Sequence, residues 1–256
     1  MTSVWVLAKH TVKALIRKKD FYVFFLMLLV LLVFLVSEDF FGIRDISRYV
    51  KDIGYFCLWI FSFIIAVTFS AKQLPEEFER HTVSALLAKP VSRAYLLLGR
   101  FFGSLLASSA AFTLFFIFYL GMVSLKGESI SPPLLAQGYV LGVCFLSLVC
   151  ALSIWLSLCF TYSAAVTFSF IVYFTVMWFI DGIRIMAIHS GGAASVLLNA
   201  VYYIIPHFEF FDLRIRVAHS WEPLPLWAFF SIAAYSAVYV TLLLSAGHLK
   251  LKKKVF

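Results

Sequence analysis

The residues that most often carry out chemistry in proteins are scattered singly along this 256-residue chain. Its six histidines form no H-E-x-x-H pair, and they are His10, His81, His189, His207, His219 and His248. Its four cysteines lie inside apolar runs without a C-x-x-C pair, and they are Cys57, Cys144, Cys150 and Cys159. His189, His207 and His219 share the outer connection and could meet around a metal, although their spacing does not show whether they converge. We predict no catalytic residue and no metal site.

Nucleotide chemistry is also missing from the sequence. A phosphate-binding loop requires G-x-x-x-x-G-K-[ST], and no glycine in this chain precedes a lysine. The G-x-S-x-G turn of serine hydrolases does not occur either. We therefore predict no cofactor in this chain and no enzyme activity of its own. If ATP powers it, ATP and Mg²⁺ bind to a separate polypeptide.

The composition is that of an integral membrane protein. Hydrophobic residues make up 63% of the chain and charged residues 13%, and the mean hydropathy is +0.97. Such a chain has too little polar surface to cover a water-soluble globule. The net charge of +8 does not indicate nucleic acid, because the basic residues lie at the ends of apolar runs, where they suit anionic lipid headgroups.

We predict six apolar runs that cross the bilayer, which takes about 17 to 25 residues of α-helix; the first run is short and relies on Lys18 and Lys19 reaching the interface. They are Phe21 to Val36, Ile53 to Ala71, Phe101 to Leu125, Leu134 to Phe160, Ala164 to Ile180 and Leu226 to Ala246. These runs contain no charged residue, whereas an ion-coupled carrier usually keeps one near mid-membrane. The predicted fold is an all-α membrane protein with a single transmembrane domain over residues 1–256.

The distribution of Lys and Arg predicts that both termini are cytoplasmic, because cytoplasmic segments carry the excess of these residues. In that orientation 14 of them face the cytoplasm: Lys9, Lys13, Arg17, Lys18, Lys19, Lys72, Arg80, Lys89, Arg93, Arg100, Lys250, Lys252, Lys253 and Lys254. Seven face outward: Arg44, Arg48, Lys51, Lys126, Arg184, Arg214 and Arg216. Residues 1–20 repeat apolar and basic positions at helical spacing, which predicts an amphipathic helix in the inner interface.

The cytoplasmic segment 72–100 is long enough to contain a helix of its own. Pro75 can begin this helix, because proline is favoured in a first helical turn. Acidic residues follow it, where the helix dipole favours them: Glu76, Glu77 and Glu79. Pro90 stops the helix before the next span begins.

The outer connection, residues 181–225, contains an apolar stretch from Ala193 to Ile205. It is too short to cross a bilayer, and Pro206 breaks it. We predict a re-entrant or interfacial helix pair here, whose polar backbone at membrane depth needs neighbouring helices or water.

Small residues at four-residue spacing predict close helix contacts. Gly99 and Gly103 form one such pair, and Gly138 and Gly142 form another at the start of the fourth span. The pattern suits packing within the chain at least as well as dimerisation.

Two stretches carry a resemblance to a known family. From Leu74 to Arg93 the chain reads L-P-E-E-F-E-R-H-T-V-S-A-L-L-A-K-P-V-S-R, which resembles the cytoplasmic segment of type-2 ATP-binding-cassette (ABC) permeases. From Tyr202 to Leu213 it reads Y-Y-I-I-P-H-F-E-F-F-D-L, which is similar to the P-N-x-x-x-F-D-L segment of that family, with His207 in place of the common Asn. The likeness covers nearly the whole chain, and its nearest subgroup includes the permease of nitrous oxide reductase maturation systems.

The resemblance implies the membrane-spanning subunit of an ATP-driven transporter, usually an exporter, in a prokaryotic plasma membrane. Two copies of the chain would pair with two copies of a soluble ATPase. An additional protein on the outer side is also compatible with the resemblance. The segment Leu74 to Arg93 would be the coupling helix that docks on the ATPase, through Glu76, Glu77, Phe78, Glu79, Arg80, Thr82, Lys89, Pro90 and Arg93. In the outer connection the resemblance singles out Pro206, Glu209 and Asp212. It does not identify the substrate.

Two other classes of function fit the same spans. One is a membrane anchor or assembly protein that transports nothing. The other is an ion-coupled carrier that uses a residue at a helix boundary, such as Asp181. Copurification of a nucleotide-binding subunit distinguishes the transporter from both.

Overall fold

The computed structural model of the chain describes residues 22–23, 26–27, 30, 46–79, 93–125 and 130–253. The predicted interfacial helix at 1–20 and residues 80–92 of the cytoplasmic segment lie outside the described residues. Of the first predicted span, Phe21 to Val36, only five residues are described, and all are helical and exposed: Tyr22, Val23, Leu26, Met27 and Val30.

Seven α-helices and one 3-10 turn make up most of the described chain. They are α1 (Ile46–Glu79), α2 (Arg93–Leu125), α3 (Pro132–Cys159), α4 (Tyr162–His189), α5 (Gly192–Ile204), the 3-10 turn (Phe208–Phe211), α6 (Arg214–Ala218) and α7 (Leu226–Lys253). Strands are absent from these residues. The predicted all-α fold is therefore confirmed.

Six stretches of the described chain are long and apolar enough to cross a membrane. They are Lys51–Pro75, Arg93–Leu125, Pro132–Cys159, Tyr162–His189, Gly192–Ala218 and Leu226–Lys252. Five of them correspond to predicted spans. The stretch Gly192–Ala218 lies in the outer connection and is divided, because α5 has only 13 residues and covers about 20 Å of the roughly 30 Å hydrocarbon core. It contains the predicted helix pair, α5 and α6.

The prediction that Pro75 begins a helix was wrong. α1 starts at Ile46, seven residues before the predicted span, and runs through Pro75 to Glu79. Proline removes one backbone hydrogen bond from a helix, but helices in membranes accommodate it where neighbouring helices support the backbone. Leu74, next to Pro75, is fully buried. A single helix therefore joins the bundle to the acidic turn at its end.

The centre of the bundle is built by α1, α2 and α3, which pack on one another. α7 packs on α3 and α2, α4 packs on α3 and α1, and α5 folds back on α4. Aromatic rings fill the space between α1, α3 and α4: the ring centroids of Trp59 and Phe145 are 4.2 Å apart, and those of Phe63 and Tyr173 are 4.1 Å apart. The indole N–H of Trp59 donates a hydrogen bond to the Tyr173 hydroxyl at 3.1 Å, which fixes α4 against α1.

The glycine pair on α3 packs within the chain. A Cβ atom added at Gly142 would lie 2.4 Å from the ring of Phe112 on α2. A Cβ atom at Gly138 would lie 3.1 Å from the hydroxyl oxygen of Tyr55 on α1. The two glycines let α3 approach both neighbours closely, which is the predicted packing role.

The alternating helices give the bundle two ends. We call the end that contains Glu79, Arg93, Cys159 and Lys253 the inner end, and the opposite end the outer end, after the predicted topology. Hydrogen bonds close the inner end, such as the one that Lys250 Nζ donates to Cys159 Sγ at 3.0 Å.

Candidate functional site

The chain between α5 and α7 dips into the bundle and returns to the outer end, and we call residues 205–225 the re-entrant segment. The hydroxyl of Tyr239 on α7 donates to the carbonyl of Tyr203 at 3.0 Å, and the N–H of His207 donates to the Tyr235 hydroxyl at 2.9 Å. At 1.5 Å per residue, these two α7 tyrosines lie about 14 and 20 Å from the outer end of α7. The turn after α5 therefore lies beside the middle of α7, at the depth of a predicted span.

Backbone at this depth needs protein partners, because lipid offers no hydrogen bonds. The Tyr239 hydroxyl also lies 3.3 Å from the carbonyl of Ile204, so it provides a hydrogen-bond donor for the last two carbonyls of α5. The predicted residue Pro206 lies in the turn itself and has no N–H that would require a partner. Tyr235 and Tyr239, one helical turn apart, thus stabilise the deepest part of the re-entrant segment.

Phe208 and Phe211 anchor the re-entrant segment in the core. Their exposed fractions are 1% and 0%. The ring of Phe208 lies 6.0 Å from Phe145 of α3 and 5.5 Å from Tyr173 of α4, measured between centroids. A 3-10 turn brings residues three apart onto the same side, so both rings enter the core together.

A group of charges lies where the re-entrant segment leaves the core. The carboxylate of Asp212, one of the predicted residues, accepts the backbone N–H of Arg214 at 2.8 Å. The Nε atom of Arg214 lies 3.3 Å from the carboxylate of Asp52 on α1, and its Nη2 lies 4.0 Å from Asp212. The guanidinium also lies over the ring of Phe56, at 5.2 Å from the centroid. One arginine therefore joins two carboxylates that belong to different elements.

Two more contacts tie α1 to the chain just after α6. Arg48 forms a hydrogen bond with His219, and Lys51 donates from Nζ to the hydroxyl of Ser220 at 3.1 Å. Since residues 48, 51 and 52 lie at i, i+3 and i+4, they form one face of α1. That face contacts the outer part of the re-entrant segment.

The end of the re-entrant segment is held by α3. The side-chain carboxamide of Gln137 accepts the N–H of Leu224 and donates to its carbonyl, both at 2.8 Å. Gln137 is 9% exposed, so both bonds are sheltered. This amide satisfies a loop backbone in the way a neighbouring strand would.

Glu209, the remaining predicted outer residue, lies apart from these contacts. It is half-buried and interacts electrostatically with Asp181 and Arg184 on α4. The guanidinium of Arg184 lies 6.0 Å from the ring centroid of Tyr202 on α5. Glu209 thus belongs to the side of the segment that faces the α4–α5 hairpin.

The three histidines of the outer connection do not converge. His189 contacts the carbonyl of Ile185 on its own helix, His207 stacks on Phe210 with ring centroids 5.0 Å apart, and His219 contacts Arg48. Within the described ranges, no group of three or more His, Cys, Asp or Glu side chains could hold a metal ion.

The predicted coupling residues lie at the inner end, as far as the structure describes them. Glu76, Glu77, Phe78 and Glu79 form the last turn of α1. Arg93 begins α2, and its Nη1 donates to the carbonyls of Leu251 and Lys252 at 2.8 Å each. Arg93 therefore joins the start of α2 to the end of α7. A cation is stabilising at this position because the last carbonyls of a helix carry partial negative charge. The others lie outside the described residues: Arg80, Thr82, Lys89 and Pro90.

Sequence reasoning missed the partners that hold the re-entrant segment. They are Asp52, Gln137, Arg214, Tyr235 and Tyr239. Two signals pointed to them: Gln137 is a polar residue inside a predicted span, and Tyr235 and Tyr239 recur one turn apart. The resulting arrangement binds and positions a segment of chain by ion pairs and hydrogen bonds.

Comparison with known families finds a match over most of the chain. The family model described as ABC-2 family transporter protein matches residues 5–246, which include the cytoplasmic segment and the re-entrant segment. No curated protein matches the chain significantly.

Proposed function

The chain belongs to the ABC-2 transporter family, and we propose that it is the membrane-spanning subunit of an ATP-driven exporter in a prokaryotic plasma membrane. Two copies form the translocation unit, and each works with a separate ATPase subunit that binds ATP and Mg²⁺. The chain itself hydrolyses no ATP. Both termini are cytoplasmic, and the sequence likeness favours the subgroup that includes the permease of nitrous oxide reductase maturation systems.

Within this proposal the chain is one domain with three specialised parts. Residues 1–20 lie in the inner interface, residues 72–100 couple the chain to the ATPase, and residues 181–225 form the outer connection. The coupling contacts are the acidic turn at the end of α1 and the residues that follow it up to Arg93.

The continuity of α1 is the observation that carries this proposal. The helix has 34 residues and is about 51 Å long, so it extends beyond a bilayer core of about 30 Å. Its inner end carries Glu76, Glu77 and Glu79, and its outer end carries Asp52, which contacts the re-entrant segment. A displacement of the inner end by an ATPase therefore reaches the outer end through one continuous helix.

Arg93 supports the same mechanism from the other side of the cytoplasmic segment. It begins α2 and donates to the last carbonyls of α7, so the exit of that segment is fixed to two helices. A segment that is held at both ends can do work on the bundle, whereas a loosely attached loop absorbs the motion.

Charge reversal at the inner end of α1 tests the proposal. The change is Glu76→Lys, Glu77→Lys and Glu79→Lys together. Interfacial charge pairs that are broken cost about 2–5 kcal/mol when buried, and each 1.4 kcal/mol is one decade in affinity. We expect at least a tenfold loss of ATPase recovered with the purified chain, normalised to the amount inserted in the membrane.

Glu222→Lys is the control, since it reverses one acidic charge in the same way at an exposed residue of the outer end. It should leave ATPase recovery unchanged. Equal recovery with the triple variant and the control would show that the acidic turn is a solvated helix end. If no ATPase copurifies even with the unmodified chain, the membrane-anchor alternative gains support instead.

A further inference from the structure

The re-entrant segment has two parts that differ in how they are held. The deep part is fixed by Phe208 and Phe211, which are almost completely buried among aromatic rings. The outer part, from Asp212 to Ser220, buries the side chains of Leu213 and Val217 and adds an ion pair and two hydrogen bonds to α1. The side chains of Asp52 and Arg214 are 47% and 31% exposed, so water can replace this contact when it opens.

The contacts of the outer part converge on a single face of α1. Asp52 meets Arg214, Lys51 meets Ser220, and Arg48 meets His219. Arg214 is additionally oriented by its own neighbour, because Asp212 accepts its backbone N–H at 2.8 Å and lies 4.0 Å from its guanidinium. The arginine is therefore positioned before it reaches Asp52, which favours one discrete contact over many loose ones.

We propose that Asp52 and Arg214 are a positioning pair, a latch that holds the outer part of the re-entrant segment against α1 and opens when α1 moves. The turn at Asp212 and Leu213, between the 3-10 turn and α6, is the pivot, because the aromatic anchor lies on one side of it and the partly exposed ion pair on the other. The link to α1 movement rests on the proposed function. The latch itself rests only on contacts within this chain.

Chemical labelling of a residue behind the latch tests this directly. Ala218 is 6% exposed and ends α6, so a cysteine there is sheltered while the outer part lies on α1. The full-length chain with Ala218→Cys is labelled in right-side-out membrane vesicles with a membrane-impermeant maleimide, and the chain without the substitution gives the background. Asp52→Arg places a second positive charge beside Arg214, and the two charges repel each other. We expect this variant to raise the labelling rate of the cysteine at least fivefold.

Exchange of the two charges distinguishes loss of the ion pair from general disruption of the fold. The double variant Asp52→Arg/Arg214→Asp restores opposite charges, and its rate should fall to within twofold of the starting rate. Asp52→Asn is a milder variant that should give an intermediate rate. Glu222→Arg, a similar change outside the contact, should have no effect. A rate that is unchanged by Asp52→Arg, or raised equally by Glu222→Arg, would overturn the latch.

ATP distinguishes the latch from the proposed function. Vesicles from the native host are loaded with ATP and Mg²⁺, and labelling of Ala218→Cys is compared with vesicles that lack ATP. If α1 opens the latch, ATP changes the rate at least twofold in the otherwise unmodified chain and has no further effect with Asp52→Arg. No response to ATP, together with the expected charge-exchange result, supports the latch and contradicts the transporter. An equal ATP response in both chains contradicts the role of the latch in coupling.

Discussion

Gly142 allows the sharpest calculation from the structure. A Cβ atom at this position would lie 2.4 and 2.8 Å from two ring carbons of Phe112, whereas carbon atoms in contact prefer about 3.5–4.0 Å. Phe112 is 1% exposed, and its ring stacks near Tyr139 with centroids 5.7 Å apart, so it has little room to turn away. Gly142→Ala must therefore separate α2 from α3 or distort Phe112. Overpacking of this kind costs about 1–3 kcal/mol.

Gly121→Ala is the matched control, because Gly121 lies in α2 with nothing within 4 Å of an added Cβ atom. Both substitutions gain the same helix preference, about 0.5–1 kcal/mol, so this gain cancels when the two are compared. Thermal unfolding of the two full-length variants in the same detergent should differ by about 2–4 °C for each kcal/mol of overpacking. The reasoning fails if Gly142→Ala unfolds at the same temperature as Gly121→Ala.

A second variant keeps the test specific to the contact. Phe112→Leu shortens the side chain that an alanine at position 142 would strike. The two changes should therefore be non-additive, with Phe112→Leu costing less in the Gly142→Ala chain than in the starting chain. Additive losses would mean that the two residues do not meet.

Two further predictions concern topology and the re-entrant turn. A cysteine at Gly127 should react with an impermeant maleimide from outside intact cells and one at Val255 should not, and the reverse pattern would refute cytoplasmic termini. Tyr235→Phe removes the acceptor of the buried His207 N–H, so the free energy of unfolding should fall by about 1–3 kcal/mol. Tyr203→Phe changes an exposed tyrosine and should alter thermal unfolding little, and equal losses in both variants would contradict the assigned hydrogen bond.

The membrane helices were predictable because lipid imposes a strong and simple constraint on sequence. A residue run that faces hydrocarbon must be apolar, and α3, α4 and α7 begin within two residues of the predicted positions for that reason. Their true ends were harder to predict. α4 continues nine residues beyond the predicted Ile180, through Asp181 and Arg184, because a charge outside the hydrocarbon region ends a hydropathy signal without ending a helix.

Pro75 shows a different limit. Local preference places proline in a first helical turn, and sequence alone gives no reason to extend the preceding helix through it. In the structure, packing of α1 against α2 and α3 maintains the helix past the missing hydrogen bond. Tertiary contacts decided this boundary, and they are not visible in a single sequence.

The re-entrant segment was located by the sequence, but its partners were not. A short apolar stretch broken by Pro206 predicts a helix that cannot cross, and Glu209 and Asp212 follow it as the resemblance suggested. The residues that hold it come from distant parts of the chain, such as Asp52 for Arg214 and Gln137 for Leu224. Which helix faces which loop depends on how the helices are arranged in the membrane. That arrangement cannot be predicted from the spacing of residues along the sequence.

The packing of α3 has a consequence for the order of biogenesis. α1, α2 and α3 contact one another directly, so the three helices at the centre of the described bundle are in the membrane before α7 leaves the ribosome. α7 docks on these helices later, with Ser236 donating to the Cys144 carbonyl at 2.9 Å and Gly247 next to Leu158. A destabilising substitution in α3 therefore disrupts the bundle early in its assembly and exposes it to quality-control proteases. A destabilising substitution in α7 affects a late docking step and leaves the earlier helices assembled.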